Sequence, residues 1–334
     1  MIEVVYPKSH PENSFAILAK MYISAMKDLG LEVVETDVEG WSGRPVGPVI
    51  LIPFLYGMGR TASSAAGRIG GMDLADSSLI SASAADIINS KALFLAVPSQ
   101  HNRFVYVKSG VRIPVFVWYP YVDPSWATSK PNCAEEFGRG GGLRILYFLL
   151  HSGRRKGVDV LAEALKELER MGVRYTLLLR SPTIPEELKG RNVVLIERWL
   201  DKECLKALYL SADVVALPSR GGGFELNAFE ALALGVPVVV PRFGPWTEYI
   251  PPKLFFQLTA EVAGMEKVYE GNPIHVGDGP RADPKDFAAK LAAAPQIAGE
   301  VRRERGWLLE RFSKESLKRS IYQALPLLKT VEKH

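Results

Sequence analysis

Short apolar runs of four to seven residues recur along this chain, separated by stretches of helical periodicity. The first set is Ile2–Pro7, Leu31–Thr36, Pro48–Phe54, Ser78–Ser81, Leu93–Val97 and Pro114–Tyr119. Between the first two, Phe15, Leu18, Ala19, Tyr22, Met26 and Leu29 fall on one helical stripe over 13–29. Asn13 or Ser14 is the expected N-cap, and Gly30 the residue that ends the helix. Shorter helices are predicted at 83–89 and 99–109. Strands too short and too uniformly apolar to face water, alternating with helices, build a parallel sheet covered on both faces.

The pattern then breaks and restarts. Residues 121–143 carry Pro, Ser and Gly but few aliphatics, and include Gly140–Gly142. Strands are expected again at Arg144–Leu150, Tyr175–Leu179, Val193–Glu197, Val214–Leu217 and Val236–Val240. Helices are expected at 157–171, 201–211 and 226–234, followed by a tail helical at 283–294, 296–312 and 314–331. The fold class is therefore α/β, with two Rossmann-like βα domains. The predicted boundaries are 1–124, a linker at 125–143, 144–312, and a terminal helix at 313–334 that crosses back to the first domain. A length of 334 residues suits two domains. Ligands of such sheets bind at the carboxyl ends of the strands, so a cleft between the two domains is expected.

Composition narrows the function classes. Hydrophobic residues make up 47% and charged residues 23%, as in ordinary globular proteins. No apolar run reaches the ~20 residues of a membrane span. Residues 1–124 hold 10 basic and 11 acidic side chains and the remainder 31 and 26, so an anion site is expected in the second half. A net charge of +4 is too mild to suggest nucleic-acid binding. Cys133 and Cys204 show neither metal spacing nor a disulfide framework, and the N-terminus reads as a strand, not a leader. A cytoplasmic location is expected. Compact linkage and abundant proline suggest thermostability.

The chemistry concentrates in Ala216–Val240, ALPSRGGGFELNAFEALALGVPVVV. A strand ends at Pro218, glycines 221–223 turn the chain, and a helix begins near Phe224–Leu226. Glycines let the backbone approach a phosphate, and the amides of Gly223, Phe224 and Leu226 at the positive helix end would bind it, with Gly222 in the same turn. Helical geometry puts Glu230 on the face of Leu226, Phe229 and Ala233. An inward carboxylate needs donors: a nearby Arg or Lys on one reading, a ligand diol on the other.

Glu230-Ala231-Leu232-Ala233-Leu234-Gly235-Val236-Pro237-Val238 resembles the E-A-[ML]-A-x-G-x-P-V signature of retaining glycosyltransferases of the GT-B fold. Tyr147–Leu161, YFLLHSGRRKGVDVL, is similar to the same family's G-R…K-G segment. The likeness is specific over 144–250, loose over 251–334 and faint over 1–124. It implies a transferase that moves a sugar from a nucleoside diphosphate sugar to an acceptor hydroxyl; no cofactor is expected, and no metal, because no His/Asp/Glu cluster has ligand spacing and helix amides with cations can do a metal's electrostatic work. Carried over, Glu230 holds the donor ribose. Arg155 and Lys156, with Arg154, neutralise the diphosphate. The family's first glutamate falls at Gly222, and Glu225 could reach the donor sugar from a neighbouring position. The family arginine would fall near His151, the best-placed histidine for the cleft.

His10 and Ser14, in the first βα loop, are acceptor-side candidates. The acceptor is left open among saccharide, lipid-linked and protein hydroxyls, and peripheral membrane contact is left open as well. Aromatics at Phe116, Trp118, Tyr119, Tyr121 and Trp126 read as packing or as sugar platforms. Two other functions are weighed: a degenerate nucleotide-sugar binder without turnover, and a nucleotide-sugar epimerase.

Overall fold

A computed structural model describes residues 1–44, 47–61, 69–134, 137 and 141–329. Gly140 and the expected helical residues 330–331 lie outside the described residues. The chain divides into two compact units. One comprises 1–121, 271–277 and 311–334, and the other 122–270 and 278–310.

In the first unit the elements are β1 (Ile2–Tyr6), α1 (Ser14–Asp28), β2 (Val33–Asp37), β3 (Val49–Leu51), α2 (Phe54–Thr61), β4 (Ile69–Met72), α3 (Ala82–Lys91), β5 (Ala92–Val97), α4 (Gln100–Lys108) and β6 (Val115–Val117). The strands form a six-stranded parallel sheet in the order β2-β1-β3-β4-β5-β6. Its core packs Val5, Leu51, Leu95 and Val97 against Phe54, Ile88 and Val105. Asn13 caps α1 by accepting from the Phe15 amide at 2.8 Å. Ser78–Ser81 is not a strand of the sheet; Ile80 makes a single bridge to His275. The sheet position falls instead to β4, IGGM, whose two glycines hid it from a search for β-branched runs. They are there because Phe54 and Phe94 lie where side chains would stand: an added Cβ would meet Phe94 at 2.8 Å from Gly70 and Phe54 at 2.6 Å from Gly71.

The second unit runs α5 (Pro124–Thr128), β7 (Leu143–Phe148), α6 (Gly153–Lys156), α7 (Val158–Arg170), β8 (Tyr175–Arg180), β9 (Val193–Ile196), α8 (Lys202–Leu210), β10 (Val214–Ala216), α9 (Leu226–Ala233), β11 (Val238–Pro241), α10 (Phe255–Leu258), β12 (Thr259–Ala260), β13 (Val262–Lys267), β14 (Asp278–Ala282) and α11 (Pro284–Arg311). Its parallel sheet has the order β12-β11-β10-β7-β8-β9, and β13 and β14 form a separate antiparallel pair. Leu161, Leu165 and Leu168 of α7 are fully buried against Ile145, Leu177 and Leu179. Each contributes about 2 kcal/mol of apolar burial. The tail differs from expectation, because 284–311 is one helix that carries Pro295 inside it. α12 (Lys314–Lys329) packs on α1 within the first unit, with Lys314 Nζ 2.6 Å from Asp28.

One further expectation is corrected. Cys133 and Cys204 form a disulfide. A separation of 71 residues gave no spacing signal; the fold brings the ends together by laying 125–133 along α8, where the Asn132 amide donates to Glu203 at 3.0 Å and Lys206 to Ser129 at 2.8 Å. The boundary aromatics divide: Trp118 and Trp126 are buried, and Trp118 meets Tyr22 edge-on at 5.4 Å.

Candidate active site

Two loops at the carboxyl ends of β7 and β10 are welded together. After β7 the chain makes the single turn of α6 and reverses at Gly157, whose φ is +73°. An added Cβ there would lie 1.9 Å from the Pro218 carbonyl oxygen, so the reversal requires glycine. The Arg220 amide donates to the Arg155 carbonyl at 2.7 Å, and Arg155 Nη1 returns a bond to the Gly221 carbonyl at 2.8 Å. The cationic turn is thereby fixed to the glycine loop.

Glu225 closes this junction. It is the left-handed N-cap of α9, with φ +65° and no side-chain capping bond. Its carboxylate turns back instead. Lys156 Nζ donates to its two oxygens at 2.8 and 2.6 Å, Arg155 Nη1 lies 3.5 Å away, and Ser219 Oγ lies 3.5 Å from Oε1. An added Cβ at Gly222 would stand 2.4 Å from Glu225 Oε1. The carboxylate thus occupies the volume that a side chain at 222 would need. The structure brings Arg155, Lys156, Gly222 and Glu225 into one cluster. Both acid oxygens are engaged by Lys156, so the three charged groups sum to +1.

Glu230 of α9 turns its carboxyl inward, as the helical spacing predicts. Phe229 and Ala233 are buried, whereas Leu226, Asn227 and Glu230 share a partly open face. The short helix buries 228–229 and 231–233 completely. Glu230 Oε2 accepts from the Tyr209 hydroxyl at 2.8 Å, and no cation bonds it among the described residues. Burial pushes its carboxyl up to about 7, and the Tyr209 bond and the charge of Lys202 only partly oppose this.

The other candidates separate. Phe224 is buried against Phe229 and Tyr249, with ring centroids 5.0 Å from each, so only its main chain is available to a ligand. Arg154 is exposed, 3.7 Å from Glu266. His151 is exposed after β7, its Nδ1 3.0 Å from Ser152 Oγ. His10 and Ser14 belong to the first unit: His10 is exposed beside Glu12 at 3.5 Å, and Ser14 opens α1 without being its cap.

Sequence reasoning missed Arg220. Its fully buried guanidinium makes a two-pronged pair with Asp159 at 2.8 and 2.6 Å, donates to Glu266 at 2.9 Å, and bonds the Arg154 carbonyl at 2.9 Å. It pins the cationic turn to α7 and to β13. An arginine directly after Pro218-Ser219 was the available signal. Tyr209 was missed because it sits on the apolar stripe of α8 and reads as core.

Residues 143–293 match the family model described as glycosyl transferases group 1. A protein named as a glycosyltransferase in Sulfolobus islandicus filamentous virus (isolate Iceland/Hveragerdi) is 31% identical over 224 residues, 63% of this chain and 60% of that one. The chain therefore aligns with about three fifths of that relative's length. Among solved structures, sucrose-phosphate synthase from Thermosynechococcus elongatus superposes with a TM-score of 0.69 at 15% identity, over 98% of this chain and 99% of that one. Anabaena HepE in complex with UDP and glucose does so with 0.68 at 14%, over 97% and 99%. No helix among the described residues is long and apolar enough to cross a membrane.

Proposed function

We propose that this chain, whose residues 143–293 match the group 1 glycosyl transferases and whose fold is GT-B, transfers a sugar from a nucleoside diphosphate sugar to an acceptor hydroxyl, with retention and without a metal. The observation that carries the reading is the junction of the Arg155–Lys156 turn with the start of α9, beside a Glu230 that no cation bonds among the described residues. That HepE was solved with UDP and glucose accords with a donor of this kind.

Each residue then has a task. Arg155 and Lys156 meet the diphosphate and stabilise the charge that develops on it as the glycosidic bond breaks. The amides that open α9 add the positive end of the helix. Glu230 accepts from the ribose hydroxyls while Tyr209 holds it in place. Glu225, filling the space above Gly222, accepts from a hydroxyl of the donor sugar and keeps Lys156 turned inward. Acceptor recognition is assigned to the first unit, with His10 and Ser14 as its polar entry points.

Turnover of UDP-, GDP- and ADP-sugars, followed by release of the nucleotide, tests this. Lys156→Ala should lower donor-dependent turnover on the order of 100-fold. Activity should persist in chelator, and the product anomer read by NMR should match the donor's. Wild-type rates in both Lys156→Ala and Glu230→Ala would remove the assignment. The close engagement of both Glu225 oxygens by Lys156 favours one second reading, a nucleotide-sugar binder without turnover. Slow hydrolysis of the donor to water excludes that reading, and an epimerised donor formed without acceptor would favour an epimerase.

A further inference from the structure

One buried cation of the second unit has no part in the site described so far. Arg180 ends β8 and is 7% exposed. It stands in register with Phe148 at the end of β7 and with Ile196 at the end of β9. Its Nη1 donates to the main-chain oxygens of Ile196 at 3.2 Å and Glu197 at 3.0 Å. Among the described residues no carboxylate pairs with it, and neither Nε nor Nη2 has an acceptor. The other buried arginines of this unit differ: Arg155 stands 3.5 Å from Glu225, and Arg220 has Asp159 and Glu266. Desolvation draws the Arg180 proton affinity down, yet a guanidinium stays charged. Its Nη1 is spent on the two carbonyls, and with no carboxylate beside it among the described residues the remaining N–H groups are left for an acceptor from outside.

Its place in the sheet says what that would be. The strand order β10-β7-β8-β9 sets out three positions along the carboxyl edge. The Arg155–Lys156 turn and the start of α9 follow β7 and β10. The Tyr209–Glu230 pair comes next, with Tyr209 against Phe148 at 5.4 Å. Arg180 is one strand further, and neighbouring strands are ~4.8 Å apart. A nucleotide with its diphosphate at the turn and its ribose at Glu230 lays its base over the ends of β8 and β9. We infer that Arg180 reads that base, and that the donor carries a keto base, uracil or guanine, in preference to adenine.

The inference rests on the donor site proposed above. Its chemistry is simple. Arginine only donates, so it selects acceptors. Uracil presents carbonyl oxygens, and guanine presents O6 beside N7, an edge that suits two parallel N–H groups. Adenine places an amine where the carbonyl would be, setting donor against donor. The Ile196 and Glu197 carbonyls hold the guanidinium plane in place, so its direction does not adapt to the wrong base.

Titration calorimetry on the full chain tests this with UDP, GDP, ADP and inorganic pyrophosphate. The proteins are wild type, Arg180→Gln and Arg180→Lys, the last keeping the charge without the planar fork. Wild type should bind UDP or GDP about 10–100-fold more tightly than ADP. Both variants should shrink that preference to within about threefold and leave pyrophosphate binding unchanged. The tighter of UDP and GDP identifies the base. ADP binding as tight as both others in wild type overturns the inference and leaves the donor site intact. So does an equal loss of all three nucleotides in the variants with the ratio kept, which marks Arg180 as a prop for the 196–197 turn. If neither nucleotides nor pyrophosphate bind wild type, the donor site itself falls. Should Arg180→Gln not fold, the ratio in Arg180→Lys decides.

Discussion

Glu230 and Glu225 lie on one short helix and are held in opposite ways. Glu225 is sealed against cations, whereas Glu230 is deep, partly open and bonded only to a tyrosine among the described residues. That difference has a pH consequence. The carboxyl of Glu230 is raised from the ordinary 4.5 to about 7, so the folded chain keeps a proton that the unfolded chain releases. Its contribution to stability is therefore present below pH ~4.5 and is lost as pH rises to ~7, by about 3 kcal/mol across the window. Asp73, buried in the first unit and also raised to about 7, adds a decline of the same sign. The difference between wild type and Glu230→Gln isolates the first: in urea titrations the variant should gain relative stability from pH 5 to pH 8. A ribose diol prefers the ionised form as its acceptor, so nucleotide affinity should rise with pH up to about 7 and then level off in wild type, and stay flat in Glu230→Gln.

At the scale of elements, the cationic turn depends on contacts that are mostly main chain. Gly157→Ala places a methyl against the Pro218 carbonyl and forces a left-handed alanine. It should destabilise by about 2 kcal/mol or more and abolish nucleotide titration, even though no ligand contact is removed. The segment after α5 depends on a covalent tie. The Cys133–Cys204 bridge closes a loop across a sequence separation of 71 residues, which on the chain-entropy argument constrains the unfolded state by about 4 kcal/mol. Dithiothreitol, or Cys133→Ser with Cys204→Ser, should lower the unfolding midpoint, and the reduced wild type and the double variant should coincide. The β13–β14 pair, which no helical or apolar pattern announced, is bound to the site through Glu266, Arg220 and Asp159.

At the scale of the whole molecule, that chain of charges extends from Asp159 through Arg220 and Glu266 to Arg281 and Glu163. Networks of this kind contribute more as temperature rises, because desolving charge then costs less. Together with the disulfide and 23 prolines they lead us to expect a thermal midpoint above the ~45–65 °C of mesophile domains, measurable by calorimetry. The sequence by itself determined the two βα sheets, because buried parallel strands and amphipathic helices leave local periodicities that no later packing erases. It also determined the glycine loop and Lys156-Gly157, since a chain reversal packed against the Pro218 carbonyl admits only glycine at 157. The tertiary structure alone decided how the charges pair. That Glu225 turns back over Gly222 onto Lys156, that Arg220 finds Asp159 and Glu266, that Glu230 faces Tyr209 and that Arg180 meets no carboxylate among the described residues all depend on loops far apart in the chain. Charge acts through space and leaves no period along a sequence, so its partners are known only once the sheet has set the loops side by side.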